Sequence, residues 1–103
     1  MLVLGLVSGC GPREPVRVGF LGGLSGRVAD LGESGRNGAQ IAVEEVNRAG
    51  GIGGRQVELI VRDDAQNPEK AISAINELIG ARVEAIVGPM TSAMAEVVLP
   101  IAE

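Results

Sequence analysis

Three times along this chain a short β-branched run gives way to turn residues and then to a stretch whose apolar residues recur with helical spacing. That alternation limits the fold sharply, because strand–helix–strand order implies parallel strands joined by crossover helices. The first run is Val16-Arg17-Val18-Gly19-Phe20, with Val16, Val18 and Phe20 on one face. A glycine-rich loop follows at residues 21–32. A helix is then predicted over 33–49, with Ala39, Ala42, Val43 and Val46 on a single face and Gly50-Gly51 as its C-cap. After the turn Ile52-Gly53-Gly54-Arg55, residues 56–62 read as the second strand, with Val57, Leu59 and Val61 sharing a face. Asn67-Pro68-Glu69 opens the next helix as an N-cap followed by proline at the first helical position. Ala71, Ile72, Ile75, Leu78 and Ile79 form its apolar face, and Gly80 stops it. The third run, Val83-Glu84-Ala85-Ile86-Val87, reads as a buried strand broken by Gly88-Pro89. Thr91 or Ser92 then caps a third helix, which Pro100 kinks or ends.

Three strand–helix units predict an α/β fold, part of a doubly wound parallel sheet. If the first strand lies between the other two, the order is 2-1-3 and the winding reverses between strands 1 and 3. Ligands of open α/β sheets bind outside the carboxyl ends of the strands at such a reversal. The loops leaving strands 1 and 3, at residues 21–32 and 88–92, would share that crevice. A helix N-terminus there favours a carboxylate or phosphate through its free N–H groups and its dipole. On local pattern alone Thr91 and Ser92 have two readings, as plain caps or as ligand contacts.

Composition removes several function classes. The chain has 103 residues, enough for one small domain, and 46% of them are hydrophobic, which argues against disorder. Nine basic against 13 acidic residues give a net charge of -4, and Phe20 is the only aromatic. Nucleic-acid binding has neither an electrostatic footprint nor a stacking surface. With no His and one Cys, neither a structural zinc site nor a catalytic Cys–His pair can be built, and no cofactor is expected. The glycines of the first loop lack the G-x-G-x-x-G spacing of dinucleotide-binding turns, and no Gly-Lys-Ser/Thr follows. Asp63 and Asp64 have the residue type of a carboxylate pair. The simpler reading is that they end strand 2 and start the next helix, where acids suit the dipole.

Residues 1–9 are apolar and uncharged and end at Cys10. The stretch is too short to span a bilayer and suits the apolar core of an export signal. Val7-Ser8-Gly9-Cys10 resembles a bacterial lipobox, which predicts lipidation of Cys10 and a tether over residues 10–15. The basic residues that open such a signal are missing, which points to a start further upstream. The alternative is a buried first strand with a core cysteine.

From Val16 onward the chain resembles the extracellular solute-binding proteins of the type I periplasmic-binding fold, in the branch of branched-chain amino-acid receptors of ABC transporters. The resemblance rests on Leu24-Ser25-Gly26, on the run from Gly38 to Asn47, on Gly50-Gly51-Ile52-Gly53-Gly54-Arg55, on Asp63-Asp64 with Asn67-Pro68, and on Ile86-Val87-Gly88-Pro89 before Thr91-Ser92. It implies an exported, non-catalytic receptor, periplasmic or on the cell surface, that closes two lobes on its ligand and delivers it to an ABC permease. It places the amino acid's α-carboxylate at Ser92 with Thr91 beside it, and the ligand's side chain near Leu24, Ser25 and Leu31. Leu31 stands where many relatives carry an aromatic residue. The family is also about three times longer. Residues 16–103 are therefore expected to be a partial N-terminal lobe that lacks the second lobe and binds amino acids weakly or undetectably alone. Two other readings remain: an amide or urea receptor of the same fold, and a small doubly wound enzyme domain that takes a phosphorylated ligand.

Overall fold

The computed structural model describes residues 13–103. The expected export signal, the lipobox with Cys10 and residues 11–12 of the tether lie outside the described residues. Strand β1 runs over Val16–Gly22 and is followed by a single 3-10 turn at Gly26–Val28. Then come α1 (Ala29–Arg48), β2 (Val57–Asp63), α2 (Pro68–Gly80), β3 (Ala85–Val87) and α3 (Ser92–Ala102). The strands form one parallel sheet, as the alternation predicts, and β1 lies between the other two, so the order is β2-β1-β3. In register, Val18 lies opposite Leu59 and Ala85, and Phe20 opposite Val61 and Val87. Right-handed crossovers that wind in opposite directions put their helices on opposite faces of a sheet. Helices α1 and α2 are arranged in that way.

The pleat of β1 divides the molecule into two layers of packing. Leu21 points to the side of α2 and α3, where it is buried with Ala71, Ala74, Ile75, Leu78, Met94 and Val98. Gly19 lies on the same side, so close to α2 that a Cβ there would stand 3.0 Å from the Leu78 methyls. Val18 and Phe20 point to the other side, toward α1. Val18, Leu59 and Val87 of the sheet and Ala39, Val43 and Val46 of α1 line a groove of about 430 Å³ there. Asn47 fastens the last turn of α1 to the start of β2: its Nδ2 donates to the Val57 carbonyl at 2.9 Å and its Oδ1 accepts from the Val57 N–H at 2.7 Å.

Several boundaries and faces differ from the sequence expectation. Helix α1 starts at Ala29, four residues before the expected start, so Leu31 is helical and the glycine loop shrinks to residues 23–25 before the 3-10 turn. The glycines hid this, because their low helix propensity is overridden by packing. Of the apolar face expected for α2, only Ala71, Ile75 and Leu78 are buried, joined by Ala74; Ile72 is 39% and Ile79 45% exposed on the flanks. Helix α2 does end at Gly80, as expected, and the left-handed residue beyond it is Arg82, at φ 61. The third run pairs only over Ala85–Val87 and is not buried: it is an edge strand, and Val87 is 45% exposed. Helix α3 continues two residues past Pro100, because the one backbone bond a proline forgoes weighs little at a helix end.

Candidate functional site

The carboxyl ends of β1 and β3 and the N-terminus of α3 meet at one end of the sheet. Thr91 is the N-cap of α3, with extended backbone at φ -127, and its Oγ1 accepts from the Met94 N–H at 3.4 Å. The first N–H groups of a helix have no partner inside it. Met94 therefore has one from the cap, and the N–H groups of Ser92 and Ala93 face outward along the axis with the positive end of the dipole. Ser92 is the first helical residue and is exposed. Among the described residues its hydroxyl makes no side-chain hydrogen bond, whereas Thr91 also donates to Gln66 Oε1 at 3.0 Å. The two hydroxyls that were equivalent in the sequence thus separate into an occupied cap and a free group.

The loop after β1 is held from two sides. On α1, a Cβ at Gly32 would overlap the Gly23 carbonyl oxygen, so helix and loop touch backbone to backbone. From β2, the Asp63 carboxylate accepts from the Leu24 N–H at 2.8 Å, from Ser25 Oγ at 2.8 Å and from the Ala65 N–H at 2.8 Å. Burial acts to raise the Asp63 carboxyl. The bonds from Leu24, Ser25 and Ala65, with Lys70 nearby, outweigh it and hold the group below the usual carboxylate range. A carboxyl with a depressed folded pKa contributes stability above its unfolded value, and loses it as pH falls through the folded one. Protection of the Leu24 amide from hydrogen exchange is therefore expected to hold from neutral pH to about 5 and to fall below about 4, the unfolded range of an aspartate. Asp63→Asn should flatten that profile.

Leu24 and Ser25 thus sit together on Asp63, and Thr91 and Ser92 sit together at α3. Leu31 lies in the first turn of α1, 46% exposed, next to Gly32, whose backbone touches Gly23 of the first loop. Met90 was not anticipated. It reaches from the β3 turn to α1, where a Cβ on Gly35 would lie 2.8 Å from its terminal methyl and 3.3 Å from the Phe20 ring. Asp63 and Gln66 were also missed as parts of this end of the sheet. The adjacent acids were the only signal, and they fit a helix start equally well. Among the described residues no group of three or more His, Cys, Asp or Glu is placed to hold a metal, and no helix is long and apolar enough to cross a membrane.

A family profile described as periplasmic binding protein matches residues 15–103. A Leu/Ile/Val-binding protein of Rhizobium johnstonii is 42% identical over 80 residues, which are 78% of this chain and 22% of the relative. Among solved structures, the branched-chain amino acid transporter substrate-binding protein LivJ of Streptococcus pneumoniae, in complex with isoleucine, superposes with a TM-score of 0.83 at 36% identity, covering 86% of this chain and 26% of that one. A fatty acid ABC transporter substrate-binding protein of Thermomonospora curvata gives a TM-score of 0.80 at 36% identity, over 87% and 23%. The chain spans about a quarter of the length of the proteins it matches.

Proposed function

The chain belongs to the periplasmic binding protein family, and on that premise we propose that it carries the carboxylate-binding wall of a non-catalytic receptor for branched-chain or related amino acids, serving an ABC importer. The observation that carries this reading is the turn into α3. An exposed hydroxyl at Ser92, two outward N–H groups and the positive end of a helix dipole suit the α-carboxylate of an amino acid. In this reading Thr91 sets the turn through its cap, and Leu24, Ser25 and Leu31 flank the ligand's apolar side chain. The similar structures support it, since one is a complex with isoleucine and another is named for fatty acids, both of which are apolar carboxylates. The receptor is exported, works in the periplasm or at the cell surface, and is anchored through Cys10. A second lobe closes over the ligand and the permease subunits receive it.

The test is an NMR titration of the ¹⁵N-labelled chain with L-leucine. Leucine at millimolar concentration should move the Ser92 and Ala93 amides, and Ser92→Ala should weaken that response roughly tenfold, the factor carried by one hydrogen bond to a charged group. The denaturation midpoint should stay where it is, since Ser92 is exposed. A leucine response that leaves these two amides still would refute the reading.

A further inference from the structure

The two loops assigned to the ligand do not bond to each other; both bond to the turn after β2. Asp63 accepts from Leu24 and Ser25 of the first loop. Gln66 Oε1 accepts from Thr91 of the other. Gln66 also packs under the first loop, where a Cβ on Gly23 would lie 3.1 Å from its Nε2. Its amide orientation follows from chemistry. Asp64 is fully buried, and its Oδ1 accepts from the Gln66 N–H at 2.8 Å and from Nε2 at 3.0 Å. Asp64 Oδ1 already accepts the Gln66 N–H, so it meets the side-chain amide as an acceptor: the NH₂ faces Asp64 and the carbonyl faces Thr91. Thr91 is then obliged to donate its one hydroxyl hydrogen to Gln66, and keeps a lone pair for the Met94 N–H. Hydrogen-bond polarity thus runs one way from the buried Asp64 Oδ1 to the cap of α3.

The backbone of this turn is held under strain. Ala65 and Gln66 are consecutive left-handed residues, at φ 51 and φ 54, a conformation that side chains with a Cβ adopt at a cost. Such a conformation persists when its surroundings over-determine it. Here the Asp63 and Asp64 carboxylates accept the N–H groups of the two strained residues.

We propose that the turn at residues 63–66 is the positioning element of the ligand site: Asp63 sets the loop over the ligand side chain, Gln66 sets the hydroxyl turn at its carboxylate, and neither touches the ligand. This rests on the functional reading above. It makes both walls of the site depend on one segment, so that a change at Gln66 is felt at Ser92 without any direct contact.

The experiment is ¹⁵N–¹H spectroscopy of the whole chain and of its Gln66→Met and Asp63→Asn variants, each without ligand and with L-leucine. Met keeps the length and bulk of Gln66 and removes both hydrogen bonds. In the ligand-free spectra Gln66→Met should shift the Thr91 and Met94 amides, Asp63→Asn should shift those of Leu24 and Ser25, and the amides of residues 16–20 and 57–60 should stay in place. With leucine, Gln66→Met should weaken the Ser92 and Ala93 response roughly tenfold, the scale of one ordinary hydrogen bond. An undiminished leucine response in Gln66→Met overturns the proposal. If leucine moves neither amide even in the unaltered chain, the functional reading fails by itself. The ligand-free spectra still decide the positioning role: Thr91 and Met94 unmoved by Gln66→Met would overturn it.

Discussion

Gly88→Ala is expected to remove a large part of the stability of this fold. Gly88 sits at φ 112, in the region that only glycine occupies without strain. Its hydrogen also points straight at β1, where a Cβ would overlap the Leu21 carbonyl oxygen. The obstacle is backbone in the central strand, so no rotamer change relieves it. Strain of about 1–3 kcal/mol and overpacking of similar size predict a loss of about 3–5 kcal/mol, a large part of a margin of about 5–15 kcal/mol. Urea denaturation should show the midpoint falling accordingly, with the slope kept if the fold survives. Gly38→Ala is the control. It lies inside α1 with nothing within 4 Å of a new Cβ, so it should stabilise by about 0.5–1 kcal/mol. If both substitutions behave alike, the close approach of β3 to β1 is wrong.

Phe20→Ala should cost about 3–5 kcal/mol, the range for truncating a buried aromatic. Phe20 is fully buried and is the only aromatic in the chain. A Cβ at Gly22 would lie 2.9 Å from its ring and 3.1 Å from Met90 Cγ, so the ring and Met90 fill one space beneath the end of β1. The effect should therefore reach beyond stability. With the ring gone, Met90 loses its support and the turn leading to Thr91 and Ser92 loosens. Phe20→Leu keeps most of the volume and should cost about 1 kcal/mol. Hydrogen exchange at Met94 should rise more in Phe20→Ala than global unfolding alone explains.

The layering of this fold was legible because periodicity reports burial directly. Val16, Val18 and Phe20 alternate, Asn67-Pro68 opens a helix, and three repeats of strand and helix give a parallel sheet, whose order is 2-1-3 once the first strand is central. What escaped the sequence depends on approach between distant segments. Nothing near Gly32 tells that it must touch Gly23, so the start of α1 was placed too late. Nothing in Ala65-Gln66 signals two left-handed residues, since neither type favours that region. Val83–Val87 has the apolar pattern of a central strand, but whether a strand is covered depends on what packs beside it, and β3 has a strand on one side only. At the turn into α3, local pattern offered Thr91 and Ser92 alike as a cap or an anion contact and did not separate their roles. The hydrogen bond to Gln66, 25 residues away, does so by engaging Thr91.

The central claim is that the turn into α3 binds a carboxylate, and the direct measurement compares L-leucine with leucinol, which keeps the ammonium and side chain and replaces the carboxylate with an alcohol. In ¹⁵N–¹H spectra of the chain at equal concentrations, leucine should move the Ser92 and Ala93 amides and leucinol should leave them in place. Equal responses to the two compounds, or a leucine response confined to other residues, would contradict the account.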